Sequence, residues 1–149
     1  MVRGLSACLA SVVGTAFVAI IVWGVSASAQ QPKSVWDGVY TDAQATRIAP
    51  FYSQKCSRCH DEEMTGKDGP PIIGITFNNH WNNKSLDLLF EKIRTGMPED
   101  EKGTLTPQQA ADLVALILQA AEMPAGETEL KADAAALKDV KFLSVPPQQ

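Results

Sequence analysis

The sequence predicts a small all-α protein, and three observations carry that prediction. Ala45, Ile48, Ala49 and Tyr52, then Leu86, Leu89, Phe90 and Ile93, then Leu113, Leu116, Ile117 and Ala121 recur at the spacing that gathers apolar side chains on one face of a helix. No stretch alternates apolar and polar residues with the period of a strand. Thr106-Pro107-Gln108-Gln109 places a capping hydroxyl, a proline at the first helical position and a glutamine three residues on, which together start a helix. A chain of 149 residues suits one compact domain.

Taken in order, the chain opens with Arg3 and carries no further charge until Lys33. An apolar run from Val12 to Val25 and the small residues Ala27-Ser28-Ala29 lie between them. A positive start, a short apolar core and an A-x-A pattern predict that residues 1–29 are a signal peptide cleaved after Ala29, with the mature protein in the periplasm. The alternative is an uncleaved membrane anchor drawn from Gly4 to Ser28, because about 20 apolar residues cross a bilayer. Cys8 precedes nearly all of the apolar run, the reverse of a lipoprotein signal, and is discarded with the leader on the first reading. Residues 30–41 form an N-terminal arm. Asp42 is the expected cap of a helix running toward Lys55, in which Pro50 predicts a kink or a late start.

From Met64 to Asn83 the residues Gly66, Gly69-Pro70-Pro71 and Asn78-Asn79 predict an ordered loop. Ser85 can cap a second helix, ended by Gly96 before Met97-Pro98. The helix begun at Thr106 is stopped by Met123-Pro124-Ala125-Gly126. These elements define a domain at 42–126 and leave 127–149 as a C-terminal extension, with one short helical possibility from Asp133 to Lys138. The extension either lies across the core or binds a partner's surface.

Between the first helix and the loop stands Cys56-Ser57-Arg58-Cys59-His60. A C-x-x-C-H run attaches one covalent haem c: the two thiols add to the vinyl groups on one porphyrin edge and the histidine becomes an iron ligand. A thioredoxin-like site would need a βαβ context that the sequence lacks. A zinc site would have to use Cys56, Cys59, His60 and His80, two of them adjacent. Once the leader is gone, Cys56 and Cys59 are the only cysteines and no thiol remains for a structural disulfide. A large apolar cofactor then replaces the staples that small exported domains otherwise need. The net charge of −4 becomes more negative with the loss of Arg3, which predicts partners with a positive docking face. No basic patch points to nucleic acid.

Helix, C-x-x-C-H, loop, helix, methionine and final helix, in that order over Asp42 to Met123, resemble a class I cytochrome c. The resemblance implies a sixth ligand from a methionine in a turn well downstream, and Thr95-Gly96-Met97-Pro98 matches that element, which makes His60 and Met97 the implied iron ligands. A soft thioether favours ferrous iron and raises the potential. As a lone residue Met97 would instead be packing. Met64 follows His60 too closely, Met123 is more simply a packing residue, and His80 is more simply a solvated or hydrogen-bonded side chain, although in Met97's place it would give a bis-histidine site of lower potential. In that family a loop proline carbonyl accepts a hydrogen bond from the ligating histidine, a part that Pro70 fits ahead of Pro71. Trp81 matches a tryptophan that donates to a haem propionate, or is a core aromatic. Leu86, Leu89, Phe90, Leu113 and Ile117 keep the ring dry.

The function this implies is a periplasmic monohaem cytochrome carrying single electrons from a dehydrogenase to another cytochrome or a terminal oxidase, with no catalytic residues of its own. Leu-Phe-Glu-Lys-Ile-Arg-Thr-Gly-Met-Pro and Met-Pro-Ala-Gly-Glu-Thr-Glu-Leu are similar to segments of cytochromes that accompany periplasmic quinoprotein and sulfite dehydrogenases. The alternatives are an obligate cytochrome subunit of such a dehydrogenase and a five-coordinate haem protein that binds or senses ligands. Membrane association is expected only if the leader is retained.

Overall fold

The computed structural model of the protein describes residues 34–148. The expected leader, its cleavage site and Cys8 lie outside them. Six helices follow in order: α1 (Asp42–Lys55), α2 (Ser57–His60), α3 (Gly74–Trp81), α4 (Leu86–Gly96), α5 (Pro107–Ala120) and α6 (Ala134–Leu137). Among the described residues the only β-type pairings are isolated bridges of Lys141 to Ser34 and to Ser85, and no helix is long and apolar enough to cross a membrane.

The three amphipathic stretches form α1, α4 and α5, and α5 is the hub. It packs most extensively against α1 and next against α4. Every residue from Ala110 to Leu118 is buried, so a stripe is an understatement and α5 is enclosed on all sides. Its start is the capping box read from the sequence: Gln109 N–H donates to Thr106 Oγ1 and Thr106 N–H to Gln109 Oε1.

The expectations for the cap of α1, for the 64–83 loop and for the start of α4 change, and the one for Pro50 narrows. The cap of α1 is Thr41, whose hydroxyl accepts from Gln44 N–H at 3.2 Å, and Asp42 is instead the first helical residue, where its charge suits the positive end of the helix. Pro50 lies inside α1, which begins at Asp42, so of the two expectations there the late start is excluded. The loop expected over 64–83 contains the helix α3, because Phe77 and Trp81, four residues apart, are both buried on one face while Asn79 faces solvent.

Ser85 precedes α4 but makes no capping bond. Its hydroxyl donates to the Lys138 carbonyl, and Leu86 N–H donates to Val140 O at 2.8 Å, so the C-terminal segment supplies the acceptor that a cap would. That segment lies across the core. Leu130, Leu137, Val140 and Phe142 are buried, Phe142 completely. Asn83 N–H donates to Phe142 O and Phe142 N–H to Lys84 O, at 2.8 and 2.9 Å.

The described part of the N-terminal arm, residues 34–41, closes the same side: Tyr40 OH donates to Met123 O at 2.6 Å, and Gly126 N–H to Tyr40 O at 2.7 Å. Gly126 has to be glycine there, since a Cβ would stand 2.1 Å from Gly38 O. Gln44, wholly buried on α1, reads the extension directly. Its amide donates to Leu130 O and accepts from Leu130 N–H, at 2.9 and 2.7 Å, and also donates to Asp112 at 3.0 Å.

Candidate functional site

Helix α1 ends at Lys55, and the chain turns through Cys56 into α2, so the two cysteines and His60 are delivered to one wall of a cavity of about 850 Å³. That is ample for a large organic ligand, since such sites run to roughly 300–1,000 Å³. Cys56, Cys59, His60, Pro70, Trp81 and Met97 all line the cavity. Leu89 and Ile93 from α4, Leu113 and Ile117 from α5 and Phe77 from α3 supply its apolar walls.

The loop after the motif is tied back beneath His60. Gly66 N–H donates to His60 O, and both Lys67 N–H and Gly69 N–H donate to Cys59 O. A Cβ on Gly66 would meet Pro71 N at 2.7 Å, and Gly66 also adopts the left-handed region at φ 88°, so only glycine closes this turn without strain. The result is that the Pro70 carbonyl stands 2.8 Å from His60 Nδ1. A donor bond from Nδ1 leaves Nε2 as the free, basic nitrogen and fixes the plane of the ring.

Burial against the cavity wall pushes the Cys56 thiol up to about 11, with Arg58 pulling it down and Cys59 adding to the rise. Tyr52, also in the wall, is raised by burial first and then by Cys56, and its hydroxyl donates to Asp61 O at 2.7 Å. Met97 caps the end of α4, its N–H bonded to Ile93 O at 3.1 Å, and is half-buried in the cavity wall.

The other sulfur and nitrogen candidates are placed differently. Met64 and Met123 are buried outside the cavity lining. His80 is exposed at the cavity edge, with Nε2 3.3 Å from Lys84 Nζ. Trp81 carries the same ammonium 5.3 Å above its ring centroid. Among the described residues no group of three or more His, Cys, Asp or Glu side chains is placed to hold a metal ion, so the four candidate zinc ligands do not assemble.

Phe77 and Leu105 in the wall were not singled out from the sequence. The i, i+4 pair with Trp81 could have flagged Phe77; Leu105 is one apolar residue in a polar stretch and carries no local signal.

These residues fit a haem. Two free thiols and an imidazole share one wall, a thioether stands in the same cavity, and the lining between them is apolar. No curated protein and no solved structure gives a match to the chain. The family model described as cytochrome c oxidase, cbb3-type, subunit III matches residues 43–117, half of the sequence. The chain therefore belongs to that family: it is a class I c-type cytochrome with covalent haem c, an electron-transfer protein rather than an enzyme.

Proposed function

We propose that the protein is exported to the periplasm, with cleavage after Ala29, and passes single electrons from a dehydrogenase to a downstream cytochrome or terminal oxidase. The observation that carries this reading is the shared cavity, in which the C-x-x-C-H side chains and Met97 line one apolar space. Haem c supplies a ferric/ferrous couple there, and the chain's own residues set its conditions. Cys56 and Cys59 hold the ring by thioether bonds. His60 and Met97 would ligate the iron, and the soft sulfur of Met97 would favour the ferrous state. Pro70 orients the His60 ring through Nδ1, and Trp81 would donate to a propionate. Leu89, Ile93, Leu113 and Ile117 exclude water, which limits the reorganisation that accompanies each change of charge.

The description of the matching family favours one second reading, in which the protein works as the cytochrome subunit of a larger respiratory complex. Native mass analysis separates the two: a free carrier migrates alone, a subunit with a large partner.

The test of the main reading is spectroscopic and kinetic. The purified protein should keep its haem through acid-acetone extraction, show a far-red iron-thioether band when oxidised, and exchange electrons with a periplasmic dehydrogenase more slowly as salt rises. A ferrous protein that binds carbon monoxide readily would instead mark a five-coordinate, ligand-binding haem.

A further inference from the structure

Besides the residues that would hold the haem, a set of charged side chains at the cavity mouth joins the two segments that carry His60 and Met97. Lys55 ends α1 and Arg58 stands between the two cysteines; Asp100 and Glu101 follow Met97-Pro98. Lys55 Nζ lies 3.1 Å from both carboxylate oxygens of Glu101, and the Arg58 guanidinium donates to the Asp100 carboxylate. Lys55, Arg58 and Asp100 all line the cavity.

The segment between α4 and α5 has little else to hold it there. Glu101 N–H donates to Pro98 O and Thr104 N–H to Glu101 O, at 3.0 and 3.3 Å, and Met97 N–H reaches only to Ile93. Among the described residues, the backbone hydrogen bonds of 97–104 thus stay within the segment and the end of α4. Pro98 and Leu105 are buried, but everything from Glu99 to Thr104 is exposed. Polar connection across the mouth comes from the two ion pairs.

We propose that Lys55–Glu101 and Arg58–Asp100 form a clasp that positions Met97, tying its segment to the cysteine-bearing wall and setting how often the sulfur leaves the iron. The inference rests on Met97 being the second axial ligand. Each partner is 41–54% exposed, so the clasp is worth little to global folding, but local opening of a short segment has a small free energy of its own and responds to small terms. Its strength is screened by salt.

The test uses ferric holoprotein titrated with imidazole at low salt while the far-red iron-thioether band is followed. The double variant Asp100→Asn/Glu101→Gln should bind imidazole about fivefold more tightly than wild type, and the difference should close near about 1 M salt. Glu101→Lys should behave like the double variant, and adding Lys55→Glu to it, which rebuilds the pair with its signs exchanged, should return affinity toward wild type. Equal affinities for wild type and both loop variants at low salt overturn the clasp. Met97→Ala, measured beside them, should lack the band and bind imidazole most tightly; a band that survives in Met97→Ala overturns the ligand reading, and the clasp falls with it.

Discussion

The side of the molecule closed by the arm and the C-terminal segment and the side that opens at the cavity mouth are held by different physics. On the first, Phe142, Tyr40 and Gln44 are at most 1% exposed, and each is fixed by ring packing or by hydrogen bonds that water does not reach. On the second, Met97 sits in a segment whose polar ties are exposed ion pairs. Buried hydrogen bonds are costly to break because a stranded donor or acceptor cannot turn to solvent, whereas exposed charges rehydrate at once. One side therefore sets whether the protein folds, and the other sets how firmly the Met97 segment is held.

The largest expected effect comes from removing Phe142. Its ring meets Phe77 edge to face at 5.9 Å, and Phe77 in turn lines the cavity. Phe142→Ala should cost the holoprotein about 3–5 kcal/mol, read as a lower denaturant midpoint, because a buried aromatic leaves a void that the surroundings fill only in part. A loss under about 1 kcal/mol would show that the extension is not part of the folded core.

Gln44 comes next. Gln44→Ala strands Leu130 N–H and Leu130 O and takes one donor from Asp112, for an expected loss of about 2 kcal/mol or more in the same measurement. Gln44→Glu is the sharper probe, since it can still accept from Leu130 N–H but cannot donate, and it adds a charge beside Asp112. It should be the worse of the two. If it is tolerated better than alanine, the hydrogen bonds are not what holds the extension.

These residues also show where sequence reading stops. The Thr106 capping box was legible because every atom in it lies within four residues, and the apolar spacing of α1, α4 and α5 is equally local. The C-x-x-C-H run was legible for the same reason. Gln44 meets Leu130 across 86 residues and Tyr40 meets Met123 across 83, so no local pattern announces either, and an extension that looked separable from the domain turns out to cap α4 with its own backbone. Helix α3 was obscured by Asn78-Asn79, whose turn preference was overridden by burial of Phe77 and Trp81. The juxtaposition of His60 and Pro70 could be expected only from resemblance, since residue spacing alone does not say that Gly66 and Gly69 bring that carbonyl to the ring.

Asp112 gives a smaller effect with a defined pH dependence. Burial alone would raise its carboxyl, but hydrogen bonds from Arg47, Gln44 and Gln108 outweigh burial and hold it below its ordinary 3.8. A carboxyl depressed by folding adds stability that is present in full above the unfolded value and disappears as pH falls through the folded one. Asp112→Asn should therefore be less stable than wild type at neutral pH, and the two should converge as the pH is lowered below about 4. A gap that is the same at neutral and acid pH would mean that the charge of Asp112 contributes nothing and that only its shape matters.

The smallest expected change in stability belongs to the cavity mouth, and its smallness is what tests the contrast. Asp100→Asn/Glu101→Gln removes two carboxylates whose side chains are 54% and 45% exposed, so the unfolding midpoint of the holoprotein should move less than in any of the variants above. The same change should nevertheless alter access to the iron, because the equilibrium it acts on is a local opening of residues 97–105 rather than unfolding of the helices. Gln44→Ala should do the reverse, lowering the midpoint while leaving imidazole affinity of the folded protein as it was, since Gln44 faces Asp112 and Leu130 rather than the cavity. Stability and imidazole access that rise and fall together in both variants would mean that the protein opens as one unit, and the division between a folding side and a soft Met97 segment would be wrong.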